Sequence, residues 1–158
     1  MMQVGDIIFV EGTGLVSKLI KWVSGGKWSH CAMFLDNNTL IETEWSTKCR
    51  IINIEDTDYL QKNHEVISCP LTQAQQELLQ VLVFPLLGKK YDFWLIFKLL
   101  IHFIFKTKID KHSAETLVCS ELVAYVLLSL GIFTYDETYV ANTSPTELYE
   151  ILKGKNSK

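Results

Sequence analysis

The sequence predicts an α+β fold carried by a single domain, 1-158. Three observations predict it: strand-like runs crowd before Pro70 and helical runs follow it; the chain, at 158 residues, is long enough to bury one self-sufficient core; and its 48% apolar and 21% charged content is that of an ordinary globular protein.

Ile7 to Val10 is β-branched and aromatic behind the turn Gly5-Asp6, and reads as a short buried strand closed by Glu11-Gly12-Thr13-Gly14. From Leu15 to Val23 the apolar residues Leu15, Val16, Leu19, Ile20 and Val23 recur at helical spacing, until Ser24-Gly25-Gly26 ends the element. Trp28 to Leu35 and Thr39 to Glu44 flank Asp36-Asn37-Asn38, the signature of a hairpin. Further strands are predicted over Arg50 to Ile54 and Glu65 to Ser68. Leu71 to Leu87 reads as a helix with Thr72 as its N-cap and Pro85 near its end.

Phe93 to Phe105 is almost wholly apolar, broken only by Lys98 and His102. It is too short to span a bilayer, which takes roughly 20 residues. Its first reading is a helix or hairpin arm buried in the core; its second is a wall of an apolar pocket, or a membrane or lipid contact through 93-105. Lys106 to Glu115 reads as a polar loop, and Cys119 to Leu130 as a strongly apolar helix stopped by Gly131. Ser144 can cap a last helix over Thr146 to Leu152, with Pro145 at its first position.

Composition narrows the function. A net charge of -3, with no stripe of basic and aromatic residues, gives no reason to expect nucleic acid as a partner. Cys31, Cys49, Cys69 and Cys119 have no zinc-ligand spacing, so neither a structural metal nor another cofactor is expected. The N-terminus has no basic region followed by an apolar one, so no secretory signal is read, and four free thiols fit a reducing, cytoplasmic setting. The oligomeric state is not legible.

Cys119 lies where a polar loop meets a helix. A thiol there feels unpaired amides and the positive end of the helix dipole, which favour the thiolate and can also stabilise an oxyanion. Position alone also fits a small core residue, so a base has to be found. Among four histidines, His30 is the one inside a predicted strand, where the ring is held in place as a base for sulfur requires. Should Asp36-Asn37-Asn38 form a three-residue loop, Leu35 pairs with Thr39, and His30, Glu42 and Glu44 share one face, with Glu42 diagonal to His30 and Glu44 directly across. A two-residue loop would separate them. Both glutamates therefore stay open as the group that orients the imidazole.

Six segments in order, Gly5 to Phe9, Trp28 to Met33, Ile41 to Thr43, Leu87 to Phe93, Val118 to Leu122 and Thr143 to Pro145, resemble the permuted papain-like cysteine hydrolases of the YiiX/YaeF type. These belong to the wider NlpC-like group that includes lecithin:retinol acyltransferase relatives. The resemblance implies a small antiparallel β-barrel or sheet packed on helices, circularly permuted relative to papain. It also implies Cys119 as nucleophile, His30 as base and Glu42 as the orienting acid, with Tyr91 and Ser120 toward the substrate. Cys31 directly after His30 and the apolar stretch at 93-105 depart from the family pattern.

The function so implied is cleavage of an amide bond through a thioester, as an amidase or peptidase. The substrate class is a small cell-wall peptide or an acylated amino acid. The alternatives are a lipid acyl hydrolase or acyltransferase, and a non-catalytic binding module on the same fold.

Overall fold

Gly5 turns the chain into its first strand at a φ of 93°, where a Cβ would lie 2.6 Å from the carbonyl oxygen of Cys69. Only glycine combines that left-handed angle with so close an approach. In this computed structural model the described residues are 2–44, 46–91, 116–134 and 143–156.

Five strands form one antiparallel sheet: β1 (Ile7–Val10), β2 (His30–Phe34), β3 (Thr39–Glu42), β4 (Arg50–Asn53) and β5 (His64–Ile67), in the order β4-β3-β2-β1-β5. All five were expected from the sequence, with ends displaced by up to two residues. The sheet is open, with β4 and β5 as its edges, so among the described residues the barrel alternative is not closed. β6 (Lys90–Tyr91) and β7 (Thr116–Leu117) add a two-stranded parallel pair that sequence reading missed. Strands of two residues show no alternation to detect.

The hairpin β2–β3 has the three-residue turn. Met33 pairs with Ile41 and Phe34 with Leu40, and the Leu35 N–H donates to the Thr39 carbonyl at 2.8 Å. Asp36 fixes this register by accepting from the N–H groups of Asn38 and Thr39 at 2.8 and 2.7 Å.

Helix α1 (Leu15–Ser24) leaves β1 and returns to β2, ending at Gly25 with a φ of 64°. Helix α2 is Gln73–Val83, capped reciprocally by Thr72 and Gln75; Pro85 follows in a 3-10 turn, Phe84–Leu86, so the expected helix to Leu87 stops early. Helix α3 (Cys119–Ser129) is apolar nearly all round, as a helix buried against a sheet must be, and Gly131 follows at a φ of 69°. Helix α4 is Pro145–Asn156, with Ser144 and Glu147 capping each other, and outlasts the expected end at Leu152 by four polar or small residues.

Alternation along the strands divides the core. Ile7, Phe9, Cys31, Met33 and Ile41 join side chains of α2, α3 and α4, whereas Ile8, Val10, Ala32, Phe34 and Leu40 join Ile54 and Tyr59 on the other face. No helix among the described residues is long and apolar enough to cross a membrane. The stretch 93-105 lies outside the described residues.

Candidate active site

Helix α3 packs across β2, which brings its first residue, Cys119, to the start of that strand, where His30 stands. The Cys119 thiol and the His30 imidazole face each other closely enough that each stabilises the charged form of the other. On the far side of the ring, Nε2 lies 3.1 Å from Glu42 Oε2, so Nδ1 is the nitrogen left for sulfur. Cys119, His30 and Glu42 are thus brought together from one helix start and two neighbouring strands.

Glu44 does not join it. β3 ends at Glu42, so Glu44 has left the sheet before it can reach across, and its carboxylate lies 3.9 Å from Arg50 instead.

Glu42 is fully buried, and a carboxylate there is tolerable only when its lone pairs are used. Arg50, its partner across β3–β4, donates to Oε1 from Nε at 3.0 Å and from Nη2 at 2.8 Å. The Tyr59 hydroxyl donates to Oε2 and lies 3.0 Å from His30 Nε2, with the two rings 5.2 Å apart. Neither residue was picked out from the sequence. Arg50 left a trace as an opposite charge across a strand pair from Glu42; Tyr59 left none, because it sits in a 3-10 turn without periodicity.

The electrostatics follow from these contacts. Burial alone would raise the Glu42 pKa, but hydrogen bonds from His30, Tyr59 and Arg50 pull it down to about 2. Burial would likewise discharge His30, yet its bonds to Cys119 and Glu42 prevail and raise it to about 10. The Cys119 thiol is pushed well below the ordinary range, first by a hydrogen bond from the Cys31 thiol and then by His30, against the cost of burial. Cys31 itself is pushed up by burial and by the neighbouring thiolate, and Cys49 rises to about 11 through burial and the charge of Glu42. At neutral pH the favoured pair is therefore thiolate and imidazolium.

Ser120 is buried beside Cys119, in the first turn of α3 whose N–H groups have no partner within the helix. Glu121 accepts from the Val118 N–H at 3.0 Å and so steadies the turn. Tyr91 belongs to β6 by its backbone, and its side chain lies outside the described residues.

No protein-family model matches the chain, and no curated protein matches it. Among solved structures it is similar to the crystal structure of the metalloprotein yiiX from Escherichia coli O157:H7, DUF1105, with a TM-score of 0.60, 21% identity, and 97% of this chain against 79% of the other covered. That likeness establishes a YiiX-like fold.

Proposed function

We propose that the chain is a cysteine-dependent hydrolase with a permuted papain-like site, in which Cys119 is the nucleophile, His30 its acid and base, and Glu42 the group that orients His30. One observation carries this reading. A cysteine at a helix N-terminus is held toward its thiolate form by a histidine whose Nε2 lies 3.1 Å from a buried carboxylate.

The chemistry runs from the ion pair. Cys119 Sγ attacks the carbonyl carbon of an amide, a C–S bond forms, and the first-turn N–H groups of Cys119 and Ser120 are suited to the oxyanion. His30 gives its proton to the leaving nitrogen, the C–N bond breaks, and a thioester remains on Cys119. Neutral His30 then takes a proton from water, whose oxygen attacks the thioester and releases the acid. An amine or alcohol in place of water would make the same site an acyltransferase. The substrate class that fits is a peptide amide or an acylated amino acid.

The related structure is described as a metalloprotein. The donor set here does not fit a metal: both Glu42 oxygens are engaged by Arg50, His30 and Tyr59, and no group of three or more His, Cys, Asp or Glu side chains among the described residues is arranged to hold an ion.

The test is an activated acyl ester, p-nitrophenyl acetate, followed by intact-mass and peptide mapping. The expected result is an acetyl adduct on Cys119 that forms and turns over, absent in Cys119→Ala and lost from turnover in His30→Ala. A wild-type chain that never acylates, or acylates first at Cys31, Cys49 or Cys69, overturns the reading in favour of a silent binding module.

A further inference from the structure

Thr43 is fully buried, and its Oγ1 is the one buried side-chain oxygen or nitrogen among the described residues without a hydrogen-bond partner. A hydroxyl so placed has given up water and gained nothing in exchange, which folded chains otherwise avoid. Its neighbour Glu42 is buried as deeply, but both of its oxygens are engaged.

The register places this hydroxyl. Leu35 donates to Thr39 across the hairpin and Met33 pairs with Ile41, so the next residues in that series are Cys31 and Thr43. That pair does not form, because β3 ends at Glu42. The Cys31 N–H, which would have met the Thr43 carbonyl, helps to hold Cys119 as thiolate instead. The two strands thus part where the sulfur of Cys119 comes in. Alternation past Glu42 sets Thr43 on the face of Cys31, Met33 and Ile41, the face that α3 covers. Successive residues therefore serve opposite faces of the sheet: Glu42 turns to His30 and Tyr59, and Thr43 to the side of the nucleophile.

We propose that the Thr43 hydroxyl donates to the carbonyl oxygen of the substrate as Cys119 attacks, and so completes the oxyanion site begun by the first-turn N–H groups of α3. The inference rests on Cys119 being the nucleophile. As the C–S bond forms, the carbonyl π pair moves onto oxygen, which accepts from the Thr43 O–H without taking its proton. A donor already bonded elsewhere would have to break that bond first, whereas an unpartnered one is ready when the charge develops.

Thr43→Val keeps the shape of the side chain and removes the hydroxyl; Thr43→Ser keeps the hydroxyl. With p-nitrophenyl acetate, acylation of Cys119 followed by intact mass should slow about a hundredfold in Thr43→Val and recover to within a few-fold of wild type in Thr43→Ser. The loss should fall on the rate at saturation and leave the half-saturating concentration near wild type, since the bond strengthens only as charge develops. Alkylation of Cys119 by iodoacetamide forms no oxyanion, so its rate should match wild type in both variants. Thermal melts provide a readout apart from acyl transfer: Thr43→Val should melt at or above wild type, because it removes an unsatisfied group. A wild-type chain that acylates at Cys119 beside a Thr43→Val variant that acylates as fast overturns the proposal and leaves the nucleophile standing. A Thr43→Val variant that melts below wild type, with Thr43→Ser restored, overturns it as well, by showing that an ordered water satisfies the hydroxyl in the free protein. A wild-type chain that never acylates removes both readings together.

Discussion

The Tyr59 hydroxyl and the His30 ring meet at one carboxylate oxygen: Tyr59 donates to Glu42 Oε2, which His30 Nε2 approaches to 3.1 Å, and the hydroxyl itself lies 3.0 Å from that nitrogen. The ring of Tyr59 also lies against the imidazole, tilted by 46°. Residues from a 3-10 turn and a strand thus fix both the plane of the base and the charge state of its partner.

Tyr59→Phe keeps the ring packing and removes only the hydroxyl. The folded chain should lose about 1–2 kcal/mol in urea, since a buried acceptor forfeits a donor. The hydroxyl helps to lower the Glu42 pKa, so the acid limb of stability should move to higher pH in the variant. An acid limb superimposable on wild type would deny Tyr59 this role.

The Cys31 thiol is the largest influence that lowers the Cys119 pKa. Cys31→Ala should therefore shift the midpoint of Cys119 alkylation upward, because the thiolate loses a hydrogen-bond donor. Iodoacetamide rates measured against pH, with peptide mapping, read this directly. An unchanged profile would mean that His30 and the helix N-terminus suffice.

The Glu42–His30 pair makes stability fall on both sides of neutrality. Glu42 titrates at about 2 in the folded chain against 4.5 ordinarily, so its contribution is complete above 4.5 and is lost as pH falls toward 2. His30 titrates at about 10 against 6.5, so its contribution is complete below 6.5 and is lost as pH rises through 10. The two shifts share one interaction and are not added. Thermal melts should show Glu42→Gln furthest below wild type between pH 4.5 and 6.5, and closing on it at either extreme. A gap independent of pH would sink the assignment of these shifts to Glu42.

Arg50→Ala strands one oxygen of a fully buried carboxylate, and should cost about 1–3 kcal/mol by denaturant titration. Arg50→Lys should recover only part of this, because an ammonium is a point charge where the guanidinium makes two bonds to Oε1. A loss below about 0.5 kcal/mol for Arg50→Ala, the range of ordinary surface changes, would mean that water replaces the guanidinium freely.

What the sequence determined by itself is local. The apolar period of Leu15 to Val23, the apolar run after Cys119, the Thr72 cap, the stop at Gly131 and the Asp36-Asn37-Asn38 turn were all readable, because helix caps, turns and periodicity act over a few neighbouring residues. The pairing of Cys119 with His30 was also approachable, as a helix start and a strand are recognisable sites for such groups. Tertiary structure decided the rest. The order β4-β3-β2-β1-β5 leaves an open sheet, the end of β3 at Glu42 decides between two glutamates, and the turn carrying Tyr59 is folded under the sheet against His30. Each of these depends on contacts between residues far apart in the chain, and a contact energy of that kind leaves no period and no cap in the sequence on either side of it.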